Sequence, residues 1–81
     1  MISNDELKAR LEGVDGVTLA DVHGDGSHYQ VVVVSDHFLG KSAVARQQWV
    51  YAQLNDLIMS GLVHALQMKT WTNVEWETQH G

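Results

Sequence analysis

The stretch Gly24-Asp25-Gly26-Ser27-His28-Tyr29-Gln30-Val31-Val32-Val33-Val34-Ser35 decides the fold. Its first three residues supply the positive φ values that a tight hairpin turn needs. Tyr29 to Ser35 then reads as a strand. The run Val31-Val32-Val33-Val34 does not alternate with polar residues, so both faces of this strand are expected to be covered. That places it in the centre of a sheet. Val17 to Val22, with three β-branched residues, is the strand on the other side of the turn.

Outward from the hairpin, Ser3-Asn4-Asp5-Glu6 fits a capping box, with Ser3 as N-cap and Glu6 at N3. Leu7 and Leu11 lie one turn apart on a single face, and Gly13 and Gly16 end this helix. Beyond the central strand, Asp36 to Lys41 reads as a loop and Ser42 as the cap of a long helix. Val44, Gln47, Tyr51, Leu54 and Ile58 form its apolar stripe, widened by Val50 and Leu57. Helical throughout, Ser42 to Ser60 would be about 28 Å long, and Gly61 stops it. Val63 to Thr70 is a third strand, with Leu66 and Met68 on one face and Gln67 and Lys69 on the other. Trp71 to Trp76 is expected to form a last helical turn capped by Thr72 or Asn73. Trp71 and Trp76 are read as covering the sheet edge.

The result is one α+β domain over residues 1–81 in the order αββαβ, with a three-stranded mixed sheet. A helical crossover makes the second and third strands parallel and right-handed. Parallel strands begin at the same end of the sheet. His28 lies just before one start, His64 opens the other, and the turn brings His23 to the same end. Neighbouring strands are about 4.8 Å apart, so His28 and His64 come within the span of one metal or small cluster. His37 falls at the opposite end and His80 in the tail; both read as surface residues.

Composition limits the chemistry. The chain has 81 residues, 44% of them hydrophobic and 19% charged, enough for one core near the lower size limit. There is no cysteine, which excludes a disulfide scaffold and a Cys-based zinc finger and is compatible with a reducing cytosol. The N-terminal segment lacks the apolar core of a signal peptide. Val31 to Val34, the longest apolar run, is far too short to span a membrane. The expected location is cytoplasmic. A formal net charge of −5 disfavours a phosphate-backbone partner. The carboxylates form no acid–base pair and no Ser-His-Asp motif is supported, so no enzyme is expected. Gly40-Lys41-Ser42 lacks the earlier glycine of a phosphate loop and reads as a helix cap. Nothing in the pattern selects for or against pairing of two copies.

The same segments carry a resemblance. Gly26-Ser27-His28-Tyr29-Gln30-Val31, Val34-Ser35-Asp36-His37-Phe38-Leu39-Gly40-Lys41-Ser42, Val63-His64-Ala65-Leu66 and Glu75-Trp76 resemble the BolA family over roughly residues 3 to 77. The short Gly-Asp-Gly-Ser-His hairpin is similar to the acid-stress branch called IbaG or YrbA. This resemblance implies a fold similar to a class II KH domain and partnership with a monothiol glutaredoxin. It further implies a [2Fe-2S] cluster shared with that glutaredoxin and its glutathione, and no cluster in the isolated chain. His64 is then the principal ligand, with His23 or His28 as the second; His28 is favoured because it leads directly into the strand parallel to the one His64 opens. The family's loop cysteine is missing here, and Arg46-Gln47 stands where the family has an Arg-His pair. Lys41, Arg46 and Lys69 are candidates for docking or for glutathione. Two histidines alone fall short of a structural or catalytic zinc, whereas imidazole suits iron. Two alternatives accompany this reading. His64 shares strand parity with Leu66 and Met68 and would then be a packed histidine, and the KH-like fold would instead serve a nucleic-acid-binding transcriptional regulator. Against the latter stand the charge and the lack of a Gly-x-x-Gly clamp.

Overall fold

The computed structural model describes residues 2–80. Helix α1 (Asn4–Glu12) leads to strands β1 (Val17–Gly24) and β2 (His28–Ser35). A short 3-10 turn (Asp36–Phe38) precedes helices α2 (Ala43–Gln53) and α3 (Asn55–Met59), strand β3 (Ala65–Trp71) and helix α4 (Asn73–His80). The sheet order is β1-β2-β3, with β1 and β2 antiparallel and β2 and β3 parallel. The valine-rich strand is therefore central, as its lack of alternation implies.

The register assigns every side chain to a face. Tyr29, Val31 and Val33 point to the core with Ala20 and Val22, where Leu7, Leu11, Val50, Leu54 and Leu57 meet them. Tyr29 is fully buried, and its hydroxyl donates to Ile2 O (2.6 Å), with Gly26 O the second carbonyl within reach at 3.2 Å, so its polar end is satisfied. On the other face Val34 is buried but Val32 only partly so. Helix α4 touches β2 and β3 and Trp71 pairs with Val34, so this face is covered at one end and open at the other.

Several boundaries differ from expectation. In the turn only Gly26 has a positive φ (100°); Gly24 is still paired with Tyr29 as the last residue of β1. The Asp25 carboxylate holds the loop by accepting from Ser27 N–H (3.0 Å) and His28 N–H (2.9 Å), an Asx-type bond that substitutes for a second left-handed glycine. The single long helix is two helices, broken at Leu54 (φ −116°, ψ 10°). The Gln53 carbonyl accepts from Arg10, whose guanidinium also binds Asp56, so α1 uses a polar group freed at the break. Asn55 and Asp56 are weak helix formers at that point.

The apolar stripe is also rotated. Val44, Gln47 and Tyr51 are exposed, and Trp49, Val50, Leu54 and Leu57 face inward with Ile58 at the margin. Strand β3 starts at Ala65 instead of Val63, which leaves His64 outside it. Helix α4 is longer than one turn and has a true capping box: Glu75 N–H donates to Thr72 Oγ1, and Thr72 N–H to Glu75 Oε1. Arg46 clamps the same Glu75 (2.8 Å) and also donates to Thr70 O and Lys41 O. The guanidinium and the Thr72 N–H hold the Glu75 carboxyl well down, at about 2. Trp71 and Trp76 meet edge to face (6.3 Å) under this helix, and His80 stacks on Trp76 (3.7 Å).

Candidate functional site

The end of the sheet where β2 and β3 begin carries the histidines. His28 is the first residue of β2 and pairs with Ala65, the first of β3. His64 directly precedes Ala65, and Ala65 N–H donates to Ser27 O (3.2 Å), which joins the hairpin loop to the entry of β3. His23 lies near the end of β1, opposite Gln30. All three are exposed. A packed His64 is thus not what the fold contains: the residue shares the parity of Leu66 and Met68 but is exposed, one position before the strand and directly after the buried Val63. Its ring stands beside the Gly61 turn, with Cε1 3.8 Å from where a Cβ on Gly61 would be.

His23 and His28 share the open face of the sheet, because His23 pairs with Gln30 and His28 is two residues before Gln30. Each has its own carboxylate. His23 Nε2 lies 3.2 Å from Asp21 Oδ2, and His28 Nδ1 lies 3.6 Å from Asp25 Oδ2. The Asp25 carboxyl is held below the usual range, chiefly by the His28 N–H and then by that of Ser27. The two rings are therefore not equivalent. His28 has its near nitrogen 3.6 Å from a carboxylate, too long for a hydrogen bond, and its Nε2 makes no hydrogen bond among the described residues. His23 has its far nitrogen engaged by Asp21.

Among the described residues, no group of three or more His, Cys, Asp or Glu is placed to hold a metal ion. What the site offers is exposed imidazole nitrogen, a donor suited to iron, in fewer positions than a four-ligand centre uses. His28 and His64 stand at the adjoining starts of two strands, but His28 shares the open face with Gln30 and His23, whereas His64 has the parity of Leu66 and Met68 on the other side, so the structure does not bring the two rings together on one face.

Two adjoining clefts occupy the open face. One, of about 400 Å³, is lined by His23, Asp25, His28, Gln30 and Gln67 among others. The second, of about 530 Å³, adds Val32 and Lys69. The clefts were not legible in the sequence, because they depend on which residue of β1 and β3 stands beside each residue of β2. The three cations proposed for docking separate here. Arg46 is committed to Glu75, Lys41 is in the loop before α2, at the far end, and Lys69 lines the cleft. His37, read as bare surface, is at the far end as expected but stacks on Trp49 (4.8 Å), with Nε2 3.0 Å from Asp15 O.

The fold and site thus define a small α+β domain that presents imidazoles and a polar sheet face. A family model described as BolA-like protein matches residues 5–75. The chain is 39% identical over 77 residues to the acid stress protein IbaG of Escherichia coli (strain K12), covering 93% of this chain and 89% of that one. It is 43% identical over 54 residues to the DNA-binding transcriptional regulator BolA of the same strain, covering 67% of this chain and 50% of the regulator. The solved structure of a bolA protein homologue from Coxiella burnetii matches with a TM-score of 0.79 and 35% identity, covering 95% and 99% of the two chains. The chain belongs to the BolA family. Among its described residues, no helix is long and apolar enough to cross a membrane.

Proposed function

We propose that this chain is a non-enzymatic adaptor for iron–sulfur trafficking or redox regulation in the cytoplasm. It docks on a monothiol glutaredoxin and contributes histidine to a [2Fe-2S] cluster held by that partner and glutathione. The supporting observation is the exposed pair His28 and His64 at the adjoining starts of β2 and β3, in a chain without cysteine. The cluster would supply electron-transfer and cluster-donation chemistry. The chain's residues would supply position: β2–β3 pairing would hold the two strand starts side by side, with Asp25 next to His28 and the Gly61 turn next to His64. Histidine in place of cysteine raises the potential of such a cluster.

Anaerobic co-purification with a monothiol glutaredoxin, followed by visible absorption, tests this reading. The expected spectrum differs from that of the glutaredoxin alone, and His64→Ala, which keeps the fold, abolishes the difference. A folded His64→Ala protein that still gives the wild-type mixed spectrum would refute the assignment.

The likeness to the DNA-binding regulator supports a second reading, but the charge distribution opposes it. Of five Lys and Arg residues, Arg10 and Arg46 are occupied by Asp56 and Glu75, and Lys69 shares its face with Asp21. Salt-dependent retention on DNA by the isolated chain would favour this second reading.

A further inference from the structure

The two edges of the sheet are finished differently. On β1 the register breaks at a bulge between Val17 and Leu19, the Val22 N–H donates to the Asp21 carboxylate (3.1 Å), and the Gly24 carbonyl accepts from the Asn4 side chain (3.3 Å). Bulges and groups already engaged blunt an edge against further pairing. β3 is the other edge, and it pairs with β2 without a break from Ala65 to Trp71. Ala65 N–H donates to Ser27 O on the β2 side. Backbone groups alternate sides along a strand, so Leu66, Met68 and Thr70 turn theirs away from β2. Among the described residues, the one hydrogen bond to these outward groups is Arg46 on Thr70 O, at 3.4 Å. Below this edge, Leu66 and Met68 are half-buried against the core. Helix α2 packs on β3 and turns Trp49 toward His37, which contacts the loop before β1. Val44, Gln47 and Tyr51 lie roughly opposite Trp49 around the helix, toward the β3 side, and are exposed. On the open face, Gln67 and Lys69 are exposed.

We infer that the outer edge of β3 accepts an extended acidic peptide segment of another protein as a fourth strand, its carboxylates beside Lys69 and its apolar side chains between α2 and the edge. Charge selects this occupant. The chain has a net charge of −5, yet no Asp or Glu occurs from 37 to 55 or from 57 to 74. The carboxylates that border these stretches, Asp56 and Glu75, are paired with Arg10 and Arg46. Lys69 stands on the strand itself. Lys41 is held near its end, because Arg46 donates to both Lys41 O and Thr70 O. An added strand lies about 4.8 Å from β3, whereas Asp21 is two spacings away, roughly 10 Å. A carboxylate on the newcomer is therefore the nearer partner for Lys69, as same-face neighbours on adjoining strands interact directly. The alternate side chains of the segment fall on the other face, where Leu66 and Met68 meet the exposed flank of α2. In such strand addition the main chain supplies affinity and the alternating side chains supply choice of sequence. Leu66 to Thr70 spans roughly 13 Å, so about five residues of partner suffice. A second copy of this chain fits poorly. Two β3 edges bring no carboxylate to Lys69, the β1 edge is blunted, and both molecules carry the same net charge. The inference goes beyond the adaptor reading and uses neither cluster nor histidine.

The probe is an acetylated and amidated hexapeptide of alternating glutamate and valine, titrated into the uniformly 15N-labelled full chain and followed by NMR. Shifts are expected at the amides of Leu66, Met68 and Thr70, with slower hydrogen exchange at Leu66 and Met68, and none at Val22 or Gly24 on the other edge. Lys69→Glu should weaken binding roughly fivefold or more, the scale of one exposed ion pair made repulsive. A hexapeptide methylated on alternate backbone nitrogens, so that it cannot join the ladder, should lose binding to the unmodified protein, a control that needs no variant. The lysine–valine counterpart should bind more weakly than the glutamate form. Absence of shifts at millimolar peptide, shifts along β1, equal affinity for the methylated peptide, or equal affinity for the lysine peptide would each overturn the inference. So would Leu66 and Met68 amides protected without peptide in a chain that sediments as a dimer, which would assign the edge to a second copy. His64→Ala should abolish the mixed-cluster spectrum and leave peptide binding intact, so each reading can fail without the other.

Discussion

His28 and His23 are two exposed imidazoles on one face, yet they differ in the nitrogen left over. Asp25 stands by the near nitrogen of His28, whereas Asp21 engages the far nitrogen of His23. His28→Ala is therefore expected to alter the spectrum of the mixed glutaredoxin complex strongly and His23→Ala weakly; the reverse order would exclude His28 as the second ligand. His37 makes the opposite point. Its stack on Trp49 and its contact with Asp15 O tie the 3-10 turn to α2 and to the loop before β1. His37→Ala should leave the cluster spectrum untouched but cost about 1–2 kcal/mol in urea denaturation, the worth of one aromatic pair and one hydrogen bond. The position of each histidine along the chain was legible from strand order. Its contacts were not, because Trp49 and Asp15 approach His37 only after the stripe of α2 has chosen which side to bury.

At the scale of elements, α4 is held by polar contacts more than by burial. None of its residues is buried, and its N-terminus is fixed by Thr72, by Asp36 accepting from Asn73 N–H, and by Arg46 on Glu75. The Glu75 carboxyl lies at about 2 against an ordinary value of 4.5. A depressed folded value means the contribution is present above the ordinary value and is lost as pH falls toward 2. Tryptophan fluorescence followed in acid should report loosening around Trp76 in that window, and Glu75→Gln should remove this part of the pH dependence; an identical acid profile in the variant would show that the clamp carries none of it. The capping box Thr72-Asn73-Val74-Glu75 was in the sequence as a T-x-x-E pattern, which leaves the cap at Thr72 or Asn73 until the Thr72–Glu75 bonds decide for Thr72. The break at Leu54 had no comparable local signal. It is supported by Arg10, a residue of α1 far away in the chain, and such long-range polar contacts leave no periodicity to detect.

For the whole molecule, the hairpin, the crossover and the parallel third strand were legible because they follow from strong local signals and from the handedness of crossovers. The end of the sheet that gathers the histidines followed from that topology. The sharing of faces did not, since it depends on register. One expectation belongs at this scale. Anaerobic reconstitution of the isolated chain should not yield stoichiometric iron and sulfide, because exposed imidazoles without a thiolate supply too few ligands. A stable cluster in the chain alone would mean the site needs no partner.

The cleft residues His23, Gln30 and Gln67 have a further implication for synthesis. Two of them come from a hairpin that can form early, and the third comes from a strand on the far side of the α2–α3 crossover. Non-local parallel pairing of this kind closes late in folding. An unfinished chain on the ribosome can therefore expose His23 and His28 but not the completed platform, nor His64 in its place beside it. Recognition by any partner that reads the three strands together would act as an inspection step, engaging only molecules whose last strand has docked.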